Sequence, residues 1–187
     1  FYGSDPTFIL CSATIANPAE LATELVGDEV ALIDDNGAPA GERVVVVHNP
    51  PVVNRQLGIR QSSLHAARDI GARLIRAGVQ TIVFAPSRVR VELLLTYLRE
   101  ALRNKPGDPE RVTGYRGGYL PNERRRIERG LRDGTVRGVV ATNALELGID
   151  IGGMGASVAM GYPGALASLW QQFGRAGRAN EASLAVL

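Results

Sequence analysis

The sequence predicts an α/β fold: a parallel sheet flanked by helices. Three observations carry this reading. Short, uncharged, β-branched runs such as TIVFA (81–85) and GVVAT (138–142) have the composition of strands buried on both faces. Stretches of helical length with a 3.6-residue apolar period lie between such runs. The two kinds alternate along most of the 187 residues, as β-α-β units require.

The elements follow in order. FILCSAT (8–14) predicts a buried strand. Pro18 then opens a helix to about Val26, with Glu20 in its first turn. EVALID (29–34) and RVVVVH (43–48) are strand-like and flank DNGAPAG (35–41), a turn or linker signal. Residues 49–63 look irregular. A helix is expected from Ser63 to Ala77, ended by Gly78. TIVFA is the next strand, and Pro86-Ser87 caps a helix to about Arg103. KPGDPE is a loop, RVTGY (111–115) a strand and RGGYL a loop; Pro121 starts a helix ending near Gly134. RGVVAT (137–142), GASVAMGY (155–162) and ASLAVL (182–187) complete the strands. A helix lies between the last two. On a helical wheel continued to Arg178, Leu166, Leu169, Trp170 and Phe173 form an apolar face, and Gln171, Arg175 and Arg178 gather opposite. Paired guanidiniums suit a phosphate, because each planar fork bonds two oxygens; a solvated helix face is the alternative.

Composition narrows the class. Hydrophobic content of 45% with 21% charged residues is that of an ordinary globular chain, sized for one domain or one domain plus a fragment. A net charge of +2 neither demands nor excludes a nucleic-acid partner. Cys11 is the only cysteine, which excludes an internal disulfide and a cysteine metal cluster and predicts a reducing, cytoplasmic setting. No signal-peptide pattern opens the sequence. Residues 151–174 lack charge, but their glycines, Pro163, serines and glutamines argue for strand, turn and helix instead of a membrane span. His48 and His65 are isolated and lack metal-ligand spacing, and no metal site is predicted.

In a parallel sheet, ligands bind at loops off the carboxyl ends of strands. The segments that follow strands are SAT (12–14), PSR (86–88), YRGG (115–118), TNALELGID (142–150) and YPG (162–164). In TNALELGID (142–150), Thr142 and Asn143 either contact a phosphate or cap a short helix, and Glu146 and Asp150 follow. Asp150 suits a ribose hydroxyl or an arginine. Ser87 and Arg88 stand at a helix N-terminus, an anion site or an ordinary cap. In YRGGYLPNERRRIERGLRDG (115–134), Arg125, Arg126, Arg129 and Arg132 form a face that is either solvated or nucleic-acid binding. Arg124 falls on the apolar side and calls for a partner, while RGG could let backbone approach a ligand. A GxxxxGK[ST] loop needs a lysine, and the sole lysine, Lys105, sits in RNKPGD. GDEVA (27–31) follows a helix end and not a strand, so it is no acidic box. Any triphosphate is therefore held mainly by something outside this chain.

Taken together, CSAT (11–14), IVFAPSR (82–88), YRGGYLPNERR (115–125), VVATNALELGIDIG (139–152) and QQFGRAGR (171–178) resemble, in order, the later motifs of superfamily 2 helicases. The wording of SATIANPAEL, TNALELGID and GYPGALASLWQQFGRAGR is most similar to bacterial DNA helicases of the mitomycin repair factor A type, with Lhr-type helicases the nearest alternative. The resemblance implies a RecA-like fold of the P-loop NTPase kind that lacks its own phosphate-binding loop. It implies residues 1–35 as the remnant of a first RecA-like domain, 36–50 as a linker region and 51–187 as the second, truncated at its end. ATP and Mg2+ would be held mainly by the first domain. The resemblance implies catalytic roles for Arg175, Arg178 and Gln171 and nucleotide contacts for Asp150, Gly148 and Gly174. Ser87, Arg88, Thr142 and Asn143 would contact nucleic acid. Ser12, Thr14 and a buried Arg124 would couple the domains. ELGID and QQFGR depart from the DEAD-box pattern and favour DNA over RNA, with one single strand tracked. The resemblance also implies DNA repair, 3′-to-5′ movement and a fragment inactive by itself. The alternatives are an RNA helicase domain and a non-enzymatic module with degenerate motor motifs.

Overall fold

The computed structural model describes residues 3, 6–12, 15–35, 37, 41–103, 109–146, 149, 151–177 and 181–187. The chain divides into two units, Phe1–Ala38 and Pro39–Leu187. The strands are β1 (Arg43–Val46), β2 (Val52–Asn54), β3 (Ile59–Arg60), β4 (Thr81–Phe84), β5 (Val112–Tyr115), β6 (Gly138–Ala141), β7 (Ala156–Ala159) and β8 (Ser183–Val186). The helices are α1 (Pro18–Val26), α2 (Ser63–Arg76), α3 (Arg88–Leu102), α4 (Pro121–Arg132) and α5 (Leu166–Phe173).

In the second unit six strands form one sheet in the order β1-β8-β7-β4-β6-β5, every neighbour pair parallel. Each residue of β4, β6 and β7 is buried, which explains why their sequences are apolar without alternation. Alternate residues nevertheless face different layers. Val83, Val140 and Val158 pack with Leu64, Ile75, Leu94 and Leu98 of α2 and α3. Ile82, Phe84, Val139 and Ala141 pack with Ile127 and Leu131 of α4. Ala159 and Ala185 meet Phe173 of α5. The result is three layers, with helices on both sides of the sheet.

Local chemistry sets the helix boundaries. Ser62 caps α2 by accepting from the Leu64 amide at 3.3 Å, and Arg73 and Arg76 sit in its last turn, where cations oppose the helix dipole. Gly78, at φ +80°, takes the left-handed turn that lets the chain enter β4. Ser87 caps α3, accepting from the Arg90 amide. Gln80, buried before β4, donates to the carbonyls of Leu131 and Val136 at 2.7 and 2.8 Å. It thereby joins the start of β4 to the end of α4. Arg99 ties α3 to β5 through two bonds to the Val112 carbonyl, at 3.0 and 2.8 Å.

Several expectations need correction. FILCSAT and EVALID form no strand among their described residues, and Phe8, Ile9 and Ile33 are exposed. A strand requires a partner for its amides, and neither segment has one here. RVVVVH does supply a strand: residues 43–46 are the edge strand β1, paired with β8. The irregular 49–63 contains the small hairpin of β2 and β3. The final helix stops at Phe173 and does not reach Arg178. Its apolar wheel is only partly core: Phe173 is buried, while Leu166 and Trp170 are 66% and 52% exposed.

Leu98 has no exposed surface and packs between α3 and the sheet. Leu98→Ala is expected to cost about 3 kcal/mol, within the range for buried leucines, read as a lower urea midpoint at unchanged slope. A shift near zero would mean that α3 is not packed as described.

Candidate functional site

At the carboxyl ends of β4, β6 and β7 a cleft of about 460 Å³ opens. It brings together all four residues expected to contact nucleic acid: Ser87, Arg88, Thr142 and Asn143. Ser87 caps α3 directly after β4 and Arg88 opens the helix, so the N-terminus of α3 borders the cleft. Thr142 follows β6 and caps the 3-10 turn Asn143–Leu145, its hydroxyl accepting from the Ala144 amide at 3.4 Å. Capping and cleft lining thus occur together in both Ser87 and Thr142.

Arg88 is the only charged side chain among the described residues lining the cleft. Its guanidinium lies against Gly117, where an added Cβ would stand 3.3 Å from the Arg88 Nη2. The glycine makes room for the arginine and itself lines the cleft. The same loop is held by Arg116, which bonds Glu92 of α3 at 2.6 Å and lies over the Tyr119 ring at 4.9 Å. A cationic group, helix-terminal amides and hydroxyls facing one cleft suit a phosphate backbone.

A second constellation borders the first. The Glu146 Oε2 accepts from the Ser168 hydroxyl at 2.7 Å and from the Gln172 amide at 3.1 Å. Ser168 and Gln172 are one helical turn apart on α5, and both line the cleft. The Arg175 guanidinium donates to the Ile149 carbonyl at 2.7 Å and to the Glu146 carbonyl at 2.9 Å. Its backbone carbonyl accepts from the Met154 amide. Arg175 is thus clamped to the connection between β6 and β7 in a turn beyond α5, and Gly174, exposed, separates it from the helix. Gln171 is half-buried in the last turn. Its expected grouping with Arg175 on one helix face does not hold, since the helix ends first.

The remaining expectations are placed as follows. Arg124 is exposed and not buried; it and Glu128 act on the hydroxyl of buried Tyr115, which donates to Glu128 at 2.7 Å. Arg125, Arg126, Arg129 and Arg132 are all exposed. Ser12 is exposed in the first unit. Thr14, Gly148, Asp150 and Arg178 lie outside the described residues. Among the described residues, no group of three His, Cys, Asp or Glu side chains is placed to hold a metal ion, and no helix is long and apolar enough to cross a membrane. Sequence reasoning missed the pairing of Glu146 with Ser168 and Gln172, and the half-exposed Tyr162 at the cleft. Only the polarity of Ser168 and Gln172 inside an otherwise apolar segment hinted at either.

Comparison with known proteins gives concordant matches. The profile of helicase conserved C-terminal domains matches residues 65–180. The "Uncharacterized ATP-dependent helicase YprA" of Bacillus subtilis is 54% identical over the whole chain, which spans 25% of that protein. The "ATP-dependent helicase hrq1" of Schizosaccharomyces pombe is 40% identical, again over the whole chain, which spans 18% of it. Among solved structures, the DUF1998 helicase MrfA bound to DNA and AMPPNP matches with a TM-score of 0.90 and 54% identity, over 99% of this chain and 26% of that one. The chain therefore spans a quarter or less of the curated relatives named here.

Burial pushes the Tyr115 hydroxyl from its ordinary 10.0 up to about 12; the bond to Glu128 and its charge add to the rise, and Arg124 opposes it. The folded pKa lies above the unfolded one. The stability gained by keeping the hydroxyl protonated is thus complete below pH 10 and is lost as pH rises toward 12. Ultraviolet titration should show Tyr115 among the last of the five tyrosines to ionise, and Glu128→Gln should bring its midpoint down. A midpoint near 10 in the native protein would contradict the buried hydroxyl–carboxylate pair.

Proposed function

This chain belongs to the family of helicase conserved C-terminal domains, and we propose that, within a longer cytoplasmic protein, it is the second RecA-like motor domain of an ATP-dependent DNA helicase. The observation that carries this reading is the cleft, where Ser87, Arg88, Thr142 and Asn143 converge from two separate strand ends. The match to a helicase bound to both DNA and AMPPNP supports it. Residues 1–35 are read as the end of a first RecA-like domain, in keeping with the separate unit Phe1–Ala38. Residues from 51 onward, together with strand β1, are read as the second.

The cleft holds one strand of DNA by its phosphates. Arg88 supplies charge, and Ser87, Thr142 and the first amides of α3 supply donors. Such contacts fix position without reading bases, and they weaken with salt. The donor set toward the nucleotide, Gln171 and Arg175, is an amide and a guanidinium, which fits an anionic triphosphate and not a cation. ATP and Mg2+ are accordingly held mainly by the other lobe. Arg178 reaches the γ-phosphate when the lobes close, while Arg175 fixes the loop behind it and adds positive charge. An arginine finger stabilises charge spread over the transferred phosphoryl oxygens. On its own the chain lacks a lysine loop and turns over no ATP.

Two experiments test the reading in the full-length protein. Arg178→Ala should lower DNA-stimulated ATPase by roughly 10³-fold or more, with single-stranded DNA affinity kept within about threefold; near-normal turnover removes the finger role. Ser87→Asp keeps a helix cap but places a carboxylate in the cleft. It should leave the thermal midpoint in place and weaken single-stranded DNA binding about tenfold or more. Undiminished binding would show that the cleft does not hold phosphate.

A further inference from the structure

Glu146 occupies the junction between the two constellations. Three and four residues before it stand Asn143 and Thr142, which line the cleft, and its amide donates to the Asn143 carbonyl at 2.9 Å. Its carboxylate holds Ser168 and Gln172 of α5. Its carbonyl holds Arg175. Each of these partners is fixed in turn. Gln172 is only 5% exposed, and its carbonyl accepts from Ser157 of β7 at 2.7 Å. Arg175 is strapped to the Met154 and Ile149 backbone.

Resting on the motor reading above, we propose that Glu146 is a positioning residue that transmits occupancy of the cleft to the arginine end of α5. A strand in the cleft meets Ser168 and Gln172, which line it while their donors hold Glu146. Displacing them pulls on the Glu146 carboxylate, and the shift passes through the same residue's carbonyl to Arg175. One oxygen serves both donors, so the device depends on side-chain length and on an acceptor at its end. Glu146 touches neither DNA nor nucleotide in this scheme.

The test uses the full-length protein, single-stranded oligonucleotide and ATP. The readout is the ratio of DNA-stimulated to unstimulated ATPase, beside the DNA dissociation constant. Glu146→Ala should lower the ratio about tenfold with DNA affinity within about threefold. Glu146→Asp keeps the charge but falls short of both donors, and should lower the ratio similarly without a loss of folded protein. Glu146→Gln keeps an acceptor oxygen at full length and should restore at least half of the ratio. A ratio unchanged in the Ala and Asp variants, or both rates falling by one common factor, overturns the assignment and leaves the motor reading intact. A native protein with no DNA-stimulated ATPase overturns the motor reading, and the role of Glu146 with it.

Discussion

All six strands of the main sheet run in the same direction, and this constraint governs the rest of the molecule. A parallel strand cannot return through a tight turn, so each connection crosses over to the next strand, and four of the five carry an α-helix; among the described residues the one from β6 to β7 holds only the 3-10 turn Asn143–Leu145. Helices on both faces bury the central strands completely. Their backbone groups are used up by the ladder and their side chains by the core. Chemistry is left to the edge where the strands end. There β7, β4, β6 and β5 lie side by side, and the loops after them, from Gly161, Pro86, Thr142 and Arg116, are neighbours by necessity. Residues distant in sequence share a cleft because strand order places them there.

Arginine and carboxylate divide the work at that edge. A partly buried guanidinium must keep its donors satisfied, and the planar fork of Arg175 meets the carbonyls of Glu146 and Ile149. Charge-assisted bonds of this kind contribute about 1.5–3 kcal/mol each and add to the apolar packing of Leu145, Ile151 and Met154, which seats the same loop on the core. A lysine offers no such fork. Glu146 does the converse, collecting two donors from one face of α5 on a single oxygen. Loop and helix are thus cross-linked in both senses, once through side-chain donors and once through a side-chain acceptor.

The parts of this fold that were legible in the sequence are those fixed by local chemistry. Strands β4, β6 and β7 announce themselves because burial on both faces leaves only apolar, β-branched residues. Ser62, Ser87 and Gly78 mark helix ends because unpaired amides and left-handed turns admit few residue types. Arg88, Thr142 and Asn143 were placed together from the general rule for strand ends and from motif resemblance. FILCSAT misled because an apolar run signals burial without supplying a partner strand. The bond from Gln172 to Glu146 spans 26 residues and leaves no local trace. Gln80, joined to Leu131 and Val136 from 51 and 56 residues away, is hidden for the same reason.

Helix α5 shows how a periodicity argument fails in a short element. Extending the wheel to Arg178 assumed a helix of more than three turns, yet α5 has 8 residues and makes little more than two. Over that length Leu169 and Phe173 suffice to seat it against the core. Trp170 then packs edge-on against Phe173 at 6.0 Å and remains half in solvent. The wheel grouped Gln171 with Arg175 and passed over Ser168 and Gln172, which turn inward to Glu146; the arginine beyond Gly174 is oriented by carbonyls and not by helical pitch. Ending the helix early frees the following residues from a 100° step, so a glycine-flanked arginine can be aimed by its loop. That freedom is what a cationic group needs if it must be set by one site and act at another.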